Sequence, residues 1–331
     1  MIYSDGGVGL YNDIGTTWAA ATDSKTGPDS ILGAWGGGKF VAVGDRGKIA
    51  YSEDGVKWTA VPDSTFDSIV WCVAWGGGKF VAGANSGRMA YSLDGETWTA
   101  VADSTFGSEI VYGIAWGNGK FVAGGSRGKI AYSTDGVNWI AVSDSTFGSS
   151  LIRNIAWSGG KFVAVGPSGK MAYSEDGINW DPIKDSAFGS GSIHGIVWGN
   201  NRFVAVGDDG KMAYSEDGFI WTAISDSRLG STRARHIDCG NGRFVAVGNG
   251  GKMAYSANGV NWTAVPYTTF GSTHINGIAW GSDKFVAIGA NGRMAYSANG
   301  INWTAVPDST FGSAYILGIA WGTPPMNTVN R

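Results

Sequence analysis

Residues 79–117 read KFVAGANSGRMAYSLDGETWTAVADSTFGSEIVYGIAWG. The reading of this stretch decides the fold, because it recurs along the chain. Lys or Arg followed by FVA begins at Lys39, Lys79, Lys120, Lys161, Arg202, Arg243 and Lys284, a period of 40 or 41 residues. Each unit runs FVAVG, GKIAYS or GKMAYS, DGxxWTAV, DSTFGS and IxGIAWG in order. FVAVG and GKMAYS have strand length, and steps such as Asp54-Gly55 and Asn258-Gly259 are hairpin-turn signals. Nothing keeps a helical period over ten residues. Four short strands per unit at this period predict the blade of a β-propeller.

Composition supports a packed protein. The chain has 331 residues with 55 Gly, but 43% are hydrophobic and 16 are Trp, so the glycines belong to turns rather than to a disordered tract. The net charge of −3 and the lack of long basic runs argue against a nucleic-acid or anionic-membrane partner. No apolar run approaches the ~20 residues of a membrane span. The stretch MIYSDGGVGLYND at the start has neither the basic nor the apolar segment of a signal peptide. The expected setting is extracellular or at the cell surface, with the chain acting as a monomer. Cys72 and Cys239 fall on distant repeats and are expected to be buried free thiols.

The heptad Ser52-Glu53-Asp54-Gly55-Val56-Lys57-Trp58 recurs at Ser92–Trp98, Ser133–Trp139, Ser174–Trp180 and Ser215–Trp221, with Asn258 and Asn299 replacing Asp in two later copies. This S-x-D-G-x-x-W pattern resembles a shortened Asp-box, the repeat of sialidase-like and related bacterial-type propellers. The resemblance implies a structural turn between the third and fourth strands of each blade, remote from the ligand face. It also implies the strand order, with IxGIAW innermost, then FVAVG, GKMAYS and WTAV outward.

Inner strands then end at Trp35, Trp75, Trp116, Trp157, Trp198, Cys239, Trp280 and Trp321, which predicts eight four-stranded blades. Seven is the alternative, if Ile31–Trp35 is something else. Closure is expected from the C-terminal inner strand, Ile316–Trp321, joined to three N-terminal strands at Met1–Tyr3, Gly7–Asn12 and Trp18–Ala21. A ring closed in this way leaves no open inner edge. The domain is expected to span 1–322, with 323–331 as a tail.

The repeats agree where blades must pack and disagree four residues before the inner-strand Trp. That position reads Ile31, Trp71, Tyr112, Arg153, His194, Arg235, Asn276 and Leu317. It borders the central channel at one mouth, and the tips of the second-to-third strand turns, such as Asp208-Asp209, vary on the same face. Packing does not require such variety, which points to function. Leu317, Ile31, Trp71 and Tyr112 make an apolar-aromatic arc, and Arg153, His194, Arg235 and Asn276 a basic, polar one. The candidate ligand site is therefore Trp71, Tyr112, Arg153, His194, Arg235 and Asn276. Aromatic rings there stack a sugar or side chain, and guanidinium groups take an oxyanion.

One blade departs from the rest. Residues 232–240, TRARHIDCG, place His236, Asp238 and Cys239 where other copies have Gly, Ala and Trp. Strand alternation puts His236 and Asp238 on one face, where a mutual hydrogen bond would satisfy both. No nucleophile motif accompanies them, and the three histidines, His194, His236 and His274, do not converge as metal ligands.

These features favour a non-catalytic recognition propeller that needs no cofactor or metal, with an acidic glycan or acidic peptide at its axial mouth. Three readings compete with it. One is a multivalent lectin with equivalent sites between blades. Another is a sialidase-like glycosidase built on Arg153, Arg235, Tyr112 and Glu109. The last is an assembly scaffold.

Overall fold

The computed structural model describes residues 38–322. Among these residues the chain forms seven four-stranded antiparallel sheets, each one blade. The eight-blade expectation is corrected to seven, and the reason lies in how the first FVAVG strand is partnered. Lys39–Gly44 pairs on one side with Ile49–Ser52 and on the other with the C-terminal strand Ile316–Gly322, in the register Phe40↔Trp321 and Val41↔Ala320. Thr59–Ala60 completes this first blade. Each of the seven FVA strands has one inner partner among residues 38–322, so Ile31–Trp35 has no FVA strand left to serve. Closure does join the C-terminal strand to three strands from the other end of the ring, but those strands are 39–60 rather than 1–21. The expected strands at 1–21, the segment Ile31–Trp35 and the tail 323–331 lie outside the described residues, as does the beginning of the expected 1–322 domain.

The remaining inner strands are Val70–Gly76, Val111–Gly117, Asn154–Ser158, Ile193–Gly199, Ala234–Gly240 and Ile275–Gly281, in blades two to seven. Their FVAVG neighbours are apolar at every position because both faces of a blade are covered. In the first blade, Phe40 and Ala42 pack towards blade seven, whereas Val41 and Val43 pack towards blade two. The seven apolar clusters of the ring each combine side chains of two adjacent blades. The Phe of DSTF enters these seams fully buried at Phe106, Phe147, Phe188, Phe270 and Phe311, and Leu229 fills the same place. Each such side chain contributes roughly 1.5–3 kcal/mol by leaving water.

Two repeated residues have specific packing duties. The Gly after the inner-strand Trp lies beneath the indole of the next blade. A Cβ added at Gly117 would stand 2.0 Å from Trp157, and one at Gly281 would stand 2.2 Å from Trp321. The basic residue before FVA reaches the following blade's S-x-D-G turn. Lys79 Nζ donates to the Asp135 carbonyl at 2.6 Å and Lys120 to Asp176 at 2.8 Å. Lys284 donates to Asp54 at 2.8 Å, across the closure itself.

Each S-x-D-G turn is held by its own side chains. Asp135 Oδ1 accepts the N–H groups of Val137 and Asn138, both at 2.8 Å, and the Ser133 hydroxyl at 2.9 Å. These donors hold the Asp135 carboxyl well below the usual carboxylate range. Asn258 Oδ1 accepts the equivalent pair from Val260 and Asn261, which is why Asn substitutes for Asp there.

Candidate functional site at the axial mouth

The repeat-variable position has a structural cause. Where an inner strand pairs with its FVAVG neighbour, one residue near its start is skipped. Val70 opposes Ala84 and Cys72 opposes Gly83, so Trp71 is an extra residue. The same irregularity isolates Tyr112, His194, Arg235, Asn276 and Leu317. A bulged residue is released from the packed face, and its side chain is re-aimed. Here it turns into the channel. Trp71, Tyr112, Arg153, His194, Arg235, Asn276 and Leu317 together line one cavity of about 440 Å³. All six candidate residues are therefore brought together. Ile31, expected in the aromatic arc, lies outside the described residues.

The two arcs are distinct in chemistry. Trp71 and Tyr112 meet edge to face with ring centroids 5.3 Å apart, and Leu317 lies on the adjoining blade. Across the mouth stand Arg153, Arg233 and Arg235 with His194, and the Asp208 carboxylate pairs with two of these four. His194 Nε2 lies 2.8 Å from Asp208 Oδ1, and Arg233 Nε donates to the same oxygen at 2.7 Å. Those two partners pull the Asp208 carboxyl down to about 2 against its burial. Burial lowers the His194 pKa, so His194 is mostly uncharged at neutral pH. It also lowers Arg153 and Arg235, which remain cations.

A second set of residues, the first positions of the second-to-third strand turns, holds the ring side chains. Trp71 Nε1 donates to Asn85 Oδ1 at 2.7 Å, and Arg235 Nε donates to Asn249 Oδ1 at 2.5 Å. With His194 and Asp208, each tether joins residues fourteen apart in sequence. In these three blades the variable turn braces the ring residue. Asn249 was not singled out from the sequence, and Asn85 stood out only as one of the variable turn tips, not as a brace for Trp71. Their signal was available in this constant spacing.

The His236–Asp238 pairing is corrected. Asp238 Oδ1 accepts the Cys239 N–H at 2.8 Å, and its Oδ2 accepts the Trp280 N–H of blade seven at 2.6 Å. His236 hydrogen-bonds the Ile278 backbone, and its Nδ1 has no partner. Both residues stitch blade six to blade seven inside the channel instead of satisfying each other. The bulge at Arg235 also breaks strict alternation at the start of this strand, and Arg235 and His236, neighbours in sequence, both line the cavity. Burial raises the Asp238 carboxyl to about 7 and lowers His236 to about 4.

Cys72 is buried and Cys239 half-buried, both are free, and burial pushes each thiol up to about 12. Neither is a nucleophile at neutral pH. Among the described residues no group of three or more His, Cys, Asp or Glu side chains is arranged to hold a metal. Glu109 does not line the cavity and lies 3.2 Å from Arg127.

No protein-family model matches the chain, and no curated protein matches its sequence. Solved structures do resemble it. A structure of YCF48 bound to D1 peptide superposes with a TM-score of 0.60 at 17% identity, covering 76% of this chain and 89% of that one. YCF48 from Cyanidioschyzon merolae gives 0.59 at 18% identity, over 78% and 96%. The computationally designed Ika8 protein gives 0.60 at 12% identity, over 84% and 90%. At these identities the likeness establishes the propeller fold.

Proposed function

We propose that the chain is a non-catalytic recognition propeller that binds an anionic ligand, an acidic peptide in the first instance, at the axial mouth. The observation that carries this reading is the cavity itself. Seven side chains that blade packing leaves free to vary converge on it, cationic on one arc and aromatic on the other. Guanidinium groups in a half-buried mouth recognise carboxylates more strongly than in open water, and the Trp71–Tyr112 pair offers an apolar surface beside them. The peptide-bound YCF48 structure supports a peptide over a glycan as the first ligand to test.

The chemistry of the cavity supports binding without turnover. Asp238 is the one carboxylate among its lining residues, and both its oxygens are taken by backbone N–H groups. Hydrolysis of a glycoside uses a pair of carboxyl groups flanking the bond, or a nucleophile in place of one. Glu109, the remaining carboxylate of the glycosidase reading, is outside the cavity.

Fluorescence anisotropy with labelled acidic peptides, beside an array of uronate- and sialate-bearing glycans, tests the proposal. Trp71→Ala and Arg235→Ala are each expected to weaken peptide binding at least tenfold, and binding should weaken as salt rises. Retention of full affinity by both variants would remove the mouth as the site. Glycan binding with no peptide binding would transfer the site to the second ligand class.

A further inference from the structure

Blade four breaks the mouth's construction in three coincident ways, and all three trace to Pro167. In the other six blades the first residue of the second-to-third strand turn donates its N–H to the carbonyl two residues before the ring position. Examples are Asn85 to Ile69 at 3.1 Å, Asp208 to Ser192 at 2.9 Å and Asn249 to Arg233 at 3.0 Å. Ser126, Ala290 and Asp45 do the same with Ile110, His274 and Tyr315. This bond fastens the entry to the bulge. Proline has no N–H to give, so the Leu151 carbonyl receives no hydrogen bond among the described residues. The six other turns carry a short 3-10 segment, and the Pro167 turn does not. The inner strand starts late, at Asn154, and Arg153 precedes the paired register while its N–H still donates to the Val165 carbonyl at 2.8 Å.

The third consequence concerns charge. Asn85, Asp208 and Asn249 supply the side-chain oxygen that braces the ring residue of their blade. Pro167 supplies none, nor do the turns at Ser126, Ala290 and Asp45, but only in blade four is the unbraced ring residue a cation. Arg233 is held by Asp208 and Arg235 by Asn249, whereas the Arg153 guanidinium has no hydrogen-bond or ion-pair partner among the described residues, and its Nε is buried without one. It still lines the cavity, next to Tyr112 on blade three and His194 on blade five. A half-buried cation with no acceptor is costly to keep unless something else supplies one.

We propose that Arg153 is the anion anchor of the mouth, freed by Pro167, and that the ligand is an acidic peptide. Its carboxylate takes the guanidinium, and an adjacent main-chain N–H takes the open Leu151 carbonyl. The segment itself stays tied through the Ile152 and Arg153 N–H groups, which donate to Gly125 and Val165. Its unpaired donor and acceptor, the Arg153 guanidinium and the Leu151 carbonyl, stand two residues apart, which is the pattern a peptide backbone with an acidic side chain or terminus answers. The tethered Arg233 and Arg235 set the surrounding potential, and Arg153 makes the direct contact. This assignment rests on the mouth being the binding site.

The test uses Pro167→Asn, which restores both the N–H and the oxygen found in blades two and six, together with Arg153→Gln. The arginine Nε–Hε resonances are followed by NMR during titration with acetate. Affinities for acetylated hexaglutamate amide and for hexagalacturonate are measured in parallel. Acetate is expected to shift the Arg153 resonance saturably and to leave Arg233 and Arg235 nearly still. In Pro167→Asn the Arg153 response should vanish. Hexaglutamate should weaken at least tenfold in both variants, while Pro167→Asn melts at or above the wild-type temperature. An Arg153 resonance that ignores acetate and hexaglutamate, or a Pro167→Asn protein that binds as wild type, overturns the anchor. Tighter binding of hexagalacturonate than of hexaglutamate overturns the choice of a peptide. If Trp71→Ala and Arg235→Ala lose hexaglutamate while Arg153→Gln and Pro167→Asn keep it, the mouth stands and the Arg153 assignment falls alone. If acetate still shifts Arg153 while Trp71→Ala and Arg235→Ala keep hexaglutamate, the anchor is a real anion site and the mouth reading falls.

Discussion

Asp238 and His236 carry opposed electrostatic costs inside the channel, and the opposition has a measurable signature. The Asp238 pKa of about 7 lies above the roughly 3.9 of an unfolded carboxyl. Between those values the native state binds more protons than the unfolded chain, so stability falls as pH rises, and the loss is complete above 7. His236, at about 4, lies below the roughly 6.5 of an unfolded imidazole. Its contribution runs the other way, rising as pH climbs from 4 to 6.5. The two offset each other in the wild type. Asp238→Ala installs the residue found at Ala74, Ala115, Ala279 and Ala320. It should unmask a rise in melting temperature of about 5 °C or more between pH 4 and 6.5. His236→Gly, matching Gly113 and Gly277, should unmask a fall of similar size continuing to pH 7. Melting curves from pH 4 to 8 check both, and two profiles parallel to the wild type would contradict this account. The identities of His236 and Asp238 were conspicuous in sequence. Their cross-blade partners, Ile278 and Trp280, were not, because both lie on the next blade, about forty residues away, where no local pattern points.

Among elements, the S-x-D-G turn and the bulge differ in how far sequence reveals them. The turn is written in its residues, since Ser, Asp and Gly each do one local job. Asp135→Ala removes the acceptor of two backbone N–H groups and should cost about 1–2 kcal/mol, or roughly 2–6 °C in melting temperature. Asp135→Asn keeps one acceptor oxygen, as Asn258 and Asn299 do, and should cost well under half of that at pH 7. Differential scanning calorimetry separates the two, and equal losses would assign the effect to something other than the Oδ1 contacts. The bulge has no such local signature. It adds one residue to a strand whose composition is unchanged, so strict alternation holds from His236 to Cys239 and fails at Arg235. What betrayed the bulged position was variety: seven blades agree on Phe, Val and Ala and disagree at Trp71, Tyr112, Arg153, His194, Arg235, Asn276 and Leu317. The fourteen-residue tether was equally visible as a spacing, but its meaning needed the register of the inner hairpin.

At the scale of the molecule, repetition made the propeller legible and also concealed the number of blades. Ile31–Trp35 has the composition of an inner strand, and composition cannot say which FVAVG strand a given copy will join. The pairing of Lys39 with Gly322 settles that question by linking residues at opposite ends of the ring. The same repetition leaves two functional arrangements to compare. Equivalent crevices recur between blades, one of them lined by Phe270, Arg293, Met294 and Asp308, whereas the axial mouth exists once. Isothermal titration calorimetry with acetylated hexaglutamate amide distinguishes them. The expected result is one peptide per chain, with the heat abolished by Trp71→Ala. Several equivalents per chain, or an undiminished isotherm for Trp71→Ala, would contradict the axial site.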